Sequence, residues 1–228
     1  MTDKNSPSDP TISTLAQTDL FADADTASLA AIVAASRRLE MVRGDVLFNE
    51  GDAPDSLHVV LSGRIAIVMS AESDNRESVV ALMDAGDLFG ELGLLDEGPR
   101  SATARALETT VVLEVPYAPV RALFDDQPHL VWNAARMLAS RLRVMDEVLA
   151  DSVFLDVTGR TAKRIVELSD GQDEFTLPVT QEELAGMVGA SRERVNKAIA
   201  SFVRLGWIDQ HERHYRIIQR DRLELRAR

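Results

Sequence analysis

The chain has 228 residues, long enough for one large or two small domains with real cores, and it has no cysteine. That excludes disulfides, thiolate zinc sites and cysteine-ligated iron–sulfur clusters. The formal net charge is −12, and it is uneven: residues 1–155 carry 12 Lys+Arg against 25 Asp+Glu, whereas 156–228 carry 13 against 12. An acidic front and a neutral back point to two domains with different partners, although composition alone does not announce nucleic-acid binding.

Residues Met1 to Pro10 are polar, with two aspartates, two prolines and no apolar stretch. This excludes a secretory signal and predicts a disordered tail, taken to run over residues 1–18. No apolar run approaches the roughly 20 residues of a membrane span. The expectation is a cytoplasmic protein with no membrane partner.

Residues 19–125 form the first predicted domain. A helix over Leu29 to Ser36 precedes short strands at Val46–Phe48, Leu57–Leu61, Ile65–Met69, Val79–Met83 and Thr110–Val115. Gly44, Gly51, Gly63 and Gly86 punctuate them, and Leu61-Ser62-Gly63-Arg64 reads as a hairpin. Regular short strands with turn residues predict an antiparallel β-roll, so the fold class is α+β.

Within this domain, Phe89-Gly90-Glu91-Leu92-Gly93-Leu94-Leu95-Asp96-Glu97-Gly98-Pro99-Arg100-Ser101-Ala102 carries the chemistry. Arg100 offers a planar fork of donors that matches a phosphate bidentately. Glu91 offers acceptors for a sugar hydroxyl. Gly90 and Gly93 let backbone N–H groups approach an anion, and the apolar run after Gly90 opens a helical turn. The stretch resembles the phosphate-binding cassette of cyclic-nucleotide-binding domains. The resemblance implies a jelly roll with Gly90, Glu91, Leu92, Arg100, Ser101 and Ala102 around the ligand.

From Ala118 to about Ser152 the pattern is helical, and residues 126–153 form a predicted long helix. Val131, Ala135, Leu138, Leu142, Met145 and Leu149 step by alternating four and three residues. That is a heptad seam, narrow for a core helix, and it predicts pairing with a second copy of the chain. Phe154 to Arg160 reads as a hinge, with Gly159 ending the regular pattern.

Residues 154–228 form the last predicted domain. A first helix runs from about Thr161 to Leu168. Thr180-Gln181-Glu182-Glu183 is a capping box, Gly189-Ala190-Ser191 a tight turn, and Ser191 caps a helix to about Leu205. Gly206–Ile208 and Tyr215–Ile218 flank a short turn. Helix, turn, helix and hairpin make a winged helix-turn-helix. Arg192, Glu193 and Lys197 share a face of the second helix and suit guanine and cytosine edges. Thr180, Ser191 and the helix N-termini suit phosphates, and Gln181 and Arg194 complete the predicted DNA-binding set.

Val179 to Lys197, Phe154 to Arg160 and the cassette together resemble the cAMP receptor protein (CRP/FNR) family of bacterial transcription regulators, from about Leu20 to the C-terminus. The resemblance implies a homodimer that binds a cyclic nucleotide, cAMP first among them, and a palindromic DNA operator with TGTGA-like half-sites, in contact with RNA polymerase. Arg192 and Glu193 match the family's base readers, and Lys197 stands where many members have Arg. In cAMP-binding members a Thr and a small polar residue of the long helix touch the adenine; here Met145 and Asp146 hold those places. A carboxylate suits the two adjacent donors of guanine, so cGMP or c-di-GMP enters as a competitor to cAMP. The segment between Leu168 and Val179 is shorter than in the best-known activators, which touch RNA polymerase there, so repression or activation through another surface stays open. A ligand-independent regulator with a vestigial pocket is the alternative. No metal is expected, no nucleophile–base pair indicates an enzyme, and His58 reads as a satisfied strand histidine.

Overall fold

The computed structural model describes residues 10–70 and 77–228. Two compact units emerge: residues 1–68 with 81–142, and 69–80 with 143–228.

The chain begins with α1 (Pro10–Gln17) and α2 (Thr26–Ala35), then β1 (Arg37–Met41), β2 (Val46–Phe48), β3 (Ser56–Ser62), β4 (Ile65–Ser70), β5 (Glu77–Met83) and β6 (Leu88–Phe89). The short α3 (Leu92–Asp96), β7 (Thr103–Ala106), β8 (Thr110–Pro116), α4 (Tyr117–Asp126), a 3-10 turn (Pro128–Leu130) and α5 (Val131–Phe154) follow. One sheet has the order β1-β8-β3-β6, the other β2-β7-β4-β5. Their pairings are antiparallel, with Arg37 opposite Glu114, Val59 opposite Leu113 and Ile67 opposite Ala104. The expected roll is present.

Alternation along the strands divides the apolar side chains between two cores. Met41, Val60, Ile65, Phe89, Ala104 and Val112 pack between the sheets. Leu57, Val59, Leu88, Leu113 and Val115 face the helices, meeting Leu15, Phe21, Leu29, Ile32, Val120, Leu123 and Met137.

Several expectations need correction. Within the tail expected over residues 1–18, Pro10–Gln17 form α1, which buries Thr11 and Leu15, one helical turn apart, and Leu15 is fully buried in the helix-side core. Residues 1–9 lie outside the described residues. Leu61–Arg64 is not a hairpin, because β3 and β4 belong to different sheets and the turn carries the chain from one layer to the other. The helical stretch from residue 118 is interrupted: α4 closes at Asp126, and Pro128, lacking an N–H, starts a new turn before α5. Strands β1, β6 and β7 lack a strong apolar run, which is why the sequence pattern passed over them.

In the second unit, α6 (Val157–Leu168) precedes β9 (Glu174–Thr176), α7 (Gln181–Val188), α8 (Arg192–Arg204), β10 (Ile208–His211), β11 (His214–Ile217) and α9 (Arg220–Arg226). Gly159 does not end a helix. Asp156 caps α6 by accepting the Gly159 N–H at 2.8 Å, so the chain breaks only at Leu155 and Asp156. That bond, with Arg226, holds the Asp156 carboxyl below its usual range. Glycine suits 159 because a Cβ there meets Arg226 Nη1 at 2.9 Å and the Arg226 carbonyl at 3.1 Å. The capping box at Thr180, the left-handed Gly189 and the Ser191 cap are all present. The wing has three strands, in the order β10-β11-β9, rather than a hairpin alone. Ile165, Leu184, Val195, Phe202, Tyr215 and Leu223 are buried here.

Because Leu15 is fully enclosed, Leu15→Ala should cost about 3 kcal/mol in denaturant unfolding. A loss below about 0.5 kcal/mol, the range of ordinary surface changes, would show that α1 is not docked.

Candidate functional site

The cassette is built around one backbone carbonyl. Gly90, in the left-handed region at φ 79°, turns the chain from β6 into α3. Its carbonyl accepts from Arg100 Nη1 at 3.0 Å and from the Tyr117 hydroxyl at 2.5 Å. A Cβ at residue 90 would stand 2.6 Å from Arg100 Nη1, so the position requires glycine. Arg100 Nη2 also donates to the Ser56 carbonyl at 2.7 Å, and the guanidinium lies 4.1 Å over the Phe48 ring. Arg100 is thereby folded into the protein.

Glu91 immediately precedes α3, makes no side-chain capping bond to it, and is 1% exposed. Its Oε1 accepts from Arg141 Nη1, and Arg141 Nη2 donates to the Leu88 carbonyl. Its Oε2 is buried and has no partner among the described residues. A desolvated carboxylate oxygen without a donor is costly, and it is the acceptor that a ligand hydroxyl fits.

Glu91 and Arg100 therefore flank the same peptide but face different surroundings. Arg100 borders a hollow of about 330 Å³, lined by Phe48, Asp52, Asp55, Ser56, His58 and Glu114; Glu91 stands outside that lining. Gly93, expected to bare its backbone to an anion, instead packs against Pro54. Leu92 and Ser101 are exposed and Ala102 is buried. Met145 and Asp146 are exposed on α5.

Two residues were missed by sequence reasoning. Arg141 is the first. Leu130 in the 3-10 turn, with Ala134, Met137 and Arg141 on α5, forms a second stripe, of which the first three are buried in the helix-side core. A cation continuing an apolar stripe was the available signal. The second is His58. It is not a satisfied strand histidine: it is 2% exposed, stacks on Phe89 and has a buried, partnerless Nδ1. Burial first, and then the Arg100 charge, push its pKa down to about 3.

The helix-turn-helix is arranged differently. Ser191, Arg192, Glu193, Arg194, Asn196 and Lys197 are exposed, while Val195, Ala198, Ile199 and Phe202 hold α8 to its unit. Arg192, Glu193, Arg194 and Lys197 make no side-chain hydrogen bond or ion pair among the described residues. Thr180 Oγ1 is engaged by the Glu183 N–H, and Gln181 Nε2 donates to the Tyr215 hydroxyl at 2.9 Å, so Gln181 is anchored to the wing rather than free. No group of three metal-ligating side chains is found among the described residues, and no helix there is long and apolar enough to cross a membrane.

Comparison with known proteins agrees with both halves. A cyclic nucleotide-binding domain matches residues 38–127, and a Crp-like helix-turn-helix domain matches 159–226. The chain is 35% identical to the CRP-like cAMP-activated global transcriptional regulator of Mycobacterium tuberculosis, over 94% of this chain and 98% of that protein. It is 31% identical to the cAMP-activated regulator Vfr of Pseudomonas aeruginosa, over 75% of this chain and 84% of that one. Among solved structures, the c-di-GMP responsive regulator CLP of Xanthomonas campestris superposes with a TM-score of 0.73 at 25% identity, covering 85% of this chain and 99% of that one.

His58 gives a pH prediction. Its folded pKa of about 3 lies below the ordinary 6.5, so the unfolded chain binds the extra proton. The stability from keeping His58 neutral is full above about 6.5 and is lost as pH falls toward 3, by up to about 1.4 kcal/mol per pH unit. His58→Phe should flatten unfolding free energy over that window; an unchanged slope would contradict the assignment.

Proposed function

The chain belongs to the CRP/FNR family of transcription regulators, and from that premise we propose a homodimer whose affinity for a palindromic operator is raised by cyclic AMP held at the Glu91–Arg100 cassette. DNA binding and a cyclic-nucleotide-binding domain are properties of the family; the nucleotide, the operator and their coupling are the proposal. The observation that carries it is the buried, partnerless Oε2 of Glu91, separated by one peptide from a guanidinium.

When bound, the nucleotide supplies a phosphate anion and a ribose hydroxyl. Arg100 is the donor for the anion, and Phe48 with the Gly90 and Ser56 carbonyls keeps its guanidinium oriented. Glu91 is the acceptor for the hydroxyl, with Gly90, Leu92, Ser101 and Ala102 forming the rest of the cassette. The choice of cAMP rests on the two relatives named for activation by cAMP. A guanine nucleotide, cGMP or c-di-GMP, is the second reading, favoured by the carboxylate of Asp146 beside Met145 and by the likeness to a c-di-GMP responsive regulator.

The exposed seam on α5 supports the homodimer: Val131, Leu142, Met145 and Leu149 are 47, 60, 67 and 63% exposed, while the roll-side stripe uses other residues. In such a dimer the α8 helices enter successive major grooves about 34 Å apart. Arg192, Glu193 and Lys197 read base edges; Thr180, Gln181, Ser191 and Arg194 position the backbone. The setting is the cytoplasm, and RNA polymerase is a partner through a surface other than the short 168–179 segment.

Calorimetry with cAMP, cGMP and c-di-GMP tests the ligand. Expected is binding of cAMP ahead of the other two, weakened about 10- to 100-fold by Arg100→Gln, the loss of one charge-assisted hydrogen-bonding group. No binding of any of the three to the unaltered protein would leave a ligand-independent regulator. For the DNA face, Arg192→Gln should cost about 1–3 kcal/mol and relax discrimination at one base, as read by competition between operators; uniform weakening across all sequences would reassign Arg192 to phosphate.

A further inference from the structure

On α5, the seam places Ala135, Leu142 and Leu149 at heptad a and Val131, Leu138 and Met145 at d. The flanking g residues are then Ala134, Arg141 and Val148, and the e residues Trp132, Ala139, Asp146 and Val153. The seam thus has one charged g and one charged e. In a parallel pair, g of one heptad faces e of the next heptad on the other helix, which sets Arg141 opposite Asp146 of the partner subunit. Antiparallel pairing would set each of these charges against its own kind, so the same two residues specify the parallel arrangement.

The two groups are in different states within one chain. Asp146 is exposed, with no hydrogen bond or ion pair among the described residues. Arg141 is on Glu91, but 37% of its side chain is exposed, so it can be reached from outside its own unit's core. Glu91 is the buried member and keeps its second oxygen without a donor.

We propose that Asp146 of the partner subunit shares the Arg141 guanidinium with Glu91 Oε1 and keeps it off Oε2, leaving that second oxygen to a ligand hydroxyl. Asp146 is then a positioning residue acting through Arg141, not a reader of the base. The idea rests on the homodimer and cyclic-nucleotide readings above. Its consequence is that pairing of two copies and ligand binding share one cation. In a paired chain Arg141 stays on Oε1, and the open Oε2 accepts from the incoming hydroxyl. The guanine reading then rests only on the likeness to a c-di-GMP responsive regulator, because a carboxylate occupied by Arg141 is not offered to a purine edge.

The test is a double-mutant cycle on the full chain with Asp146→Asn, Arg141→Gln and both together, with Asp146→Glu as the conservative variant. Sedimentation equilibrium gives dimer dissociation, and calorimetry gives cAMP and cGMP affinities. Two symmetry-related pairs form per dimer, so Asp146→Asn should weaken dimerisation about tenfold, and should have no further effect once Arg141 is Gln. Asp146→Glu should restore most of it. Asp146→Asn should lower affinity for both nucleotides by one common factor, again only when Arg141 is present. Additive effects on dimerisation overturn the proposal whether or not nucleotide binds. A change in the ratio of cAMP to cGMP affinity at Asp146→Asn, or one that persists with Arg141→Gln, also overturns it and makes Asp146 a base reader. A monomer at all concentrations removes the homodimer reading and the pair with it, while absence of nucleotide binding alone removes only the ligand reading.

Discussion

A carboxylate that is 1% exposed must be paired, and Glu91 has a donor for only one of its two oxygens. Taking such a group out of water costs several kcal/mol, and a single partly exposed guanidinium returns only part of that. The site around Glu91 is therefore poised between partners. Arg141 reaches it from the long helix, Gly90 fixes its backbone at a bend that only glycine tolerates, and Arg100 closes the neighbouring peptide from the far side. The sheet strand β6 and the helix α3 hold this turn between them, with its second acceptor left open.

The same economy appears in the helices. α5 spends one stripe, Ala134 and Met137, on its own roll and leaves the adjacent seam uncovered. α8 spends Val195, Ile199 and Phe202 on its own unit and leaves a face of unpaired charges in solvent. In the proposed reading the exposed apolar seam takes a second copy and the exposed charged face takes a polyanion, so that an acidic chain of net charge −12 binds DNA through a small local surface.

Much of this was legible from residue order. The strands with strong alternation, the capping box at Thr180 and the left-handed Gly189 all carry local signals that the structure obeys. The misses have physical reasons. α1 looked disordered because a polar, Pro-bearing start masked the single i, i+4 pair that docks it. Leu61–Arg64 looked like a hairpin because a turn signal does not reveal whether the next strand joins the same sheet. Gly159 looked like a break, whereas its missing Cβ makes room for Arg226, a residue 67 positions away that no local pattern exposes. Arg141 was hidden by the heptad beside it: once a helix is assigned one apolar stripe, a second stripe ending in a cation is easily passed over.

Control of DNA binding by the cassette is most directly measured as operator affinity, by fluorescence anisotropy at one fixed salt concentration, with and without saturating cAMP, for the unaltered chain and for Arg100→Gln. The expected result is a gain of at least about tenfold with cAMP in the unaltered chain and no gain in Arg100→Gln, at the magnitude typical of coupled sites. Equal operator affinity with and without cAMP in the unaltered chain would contradict it.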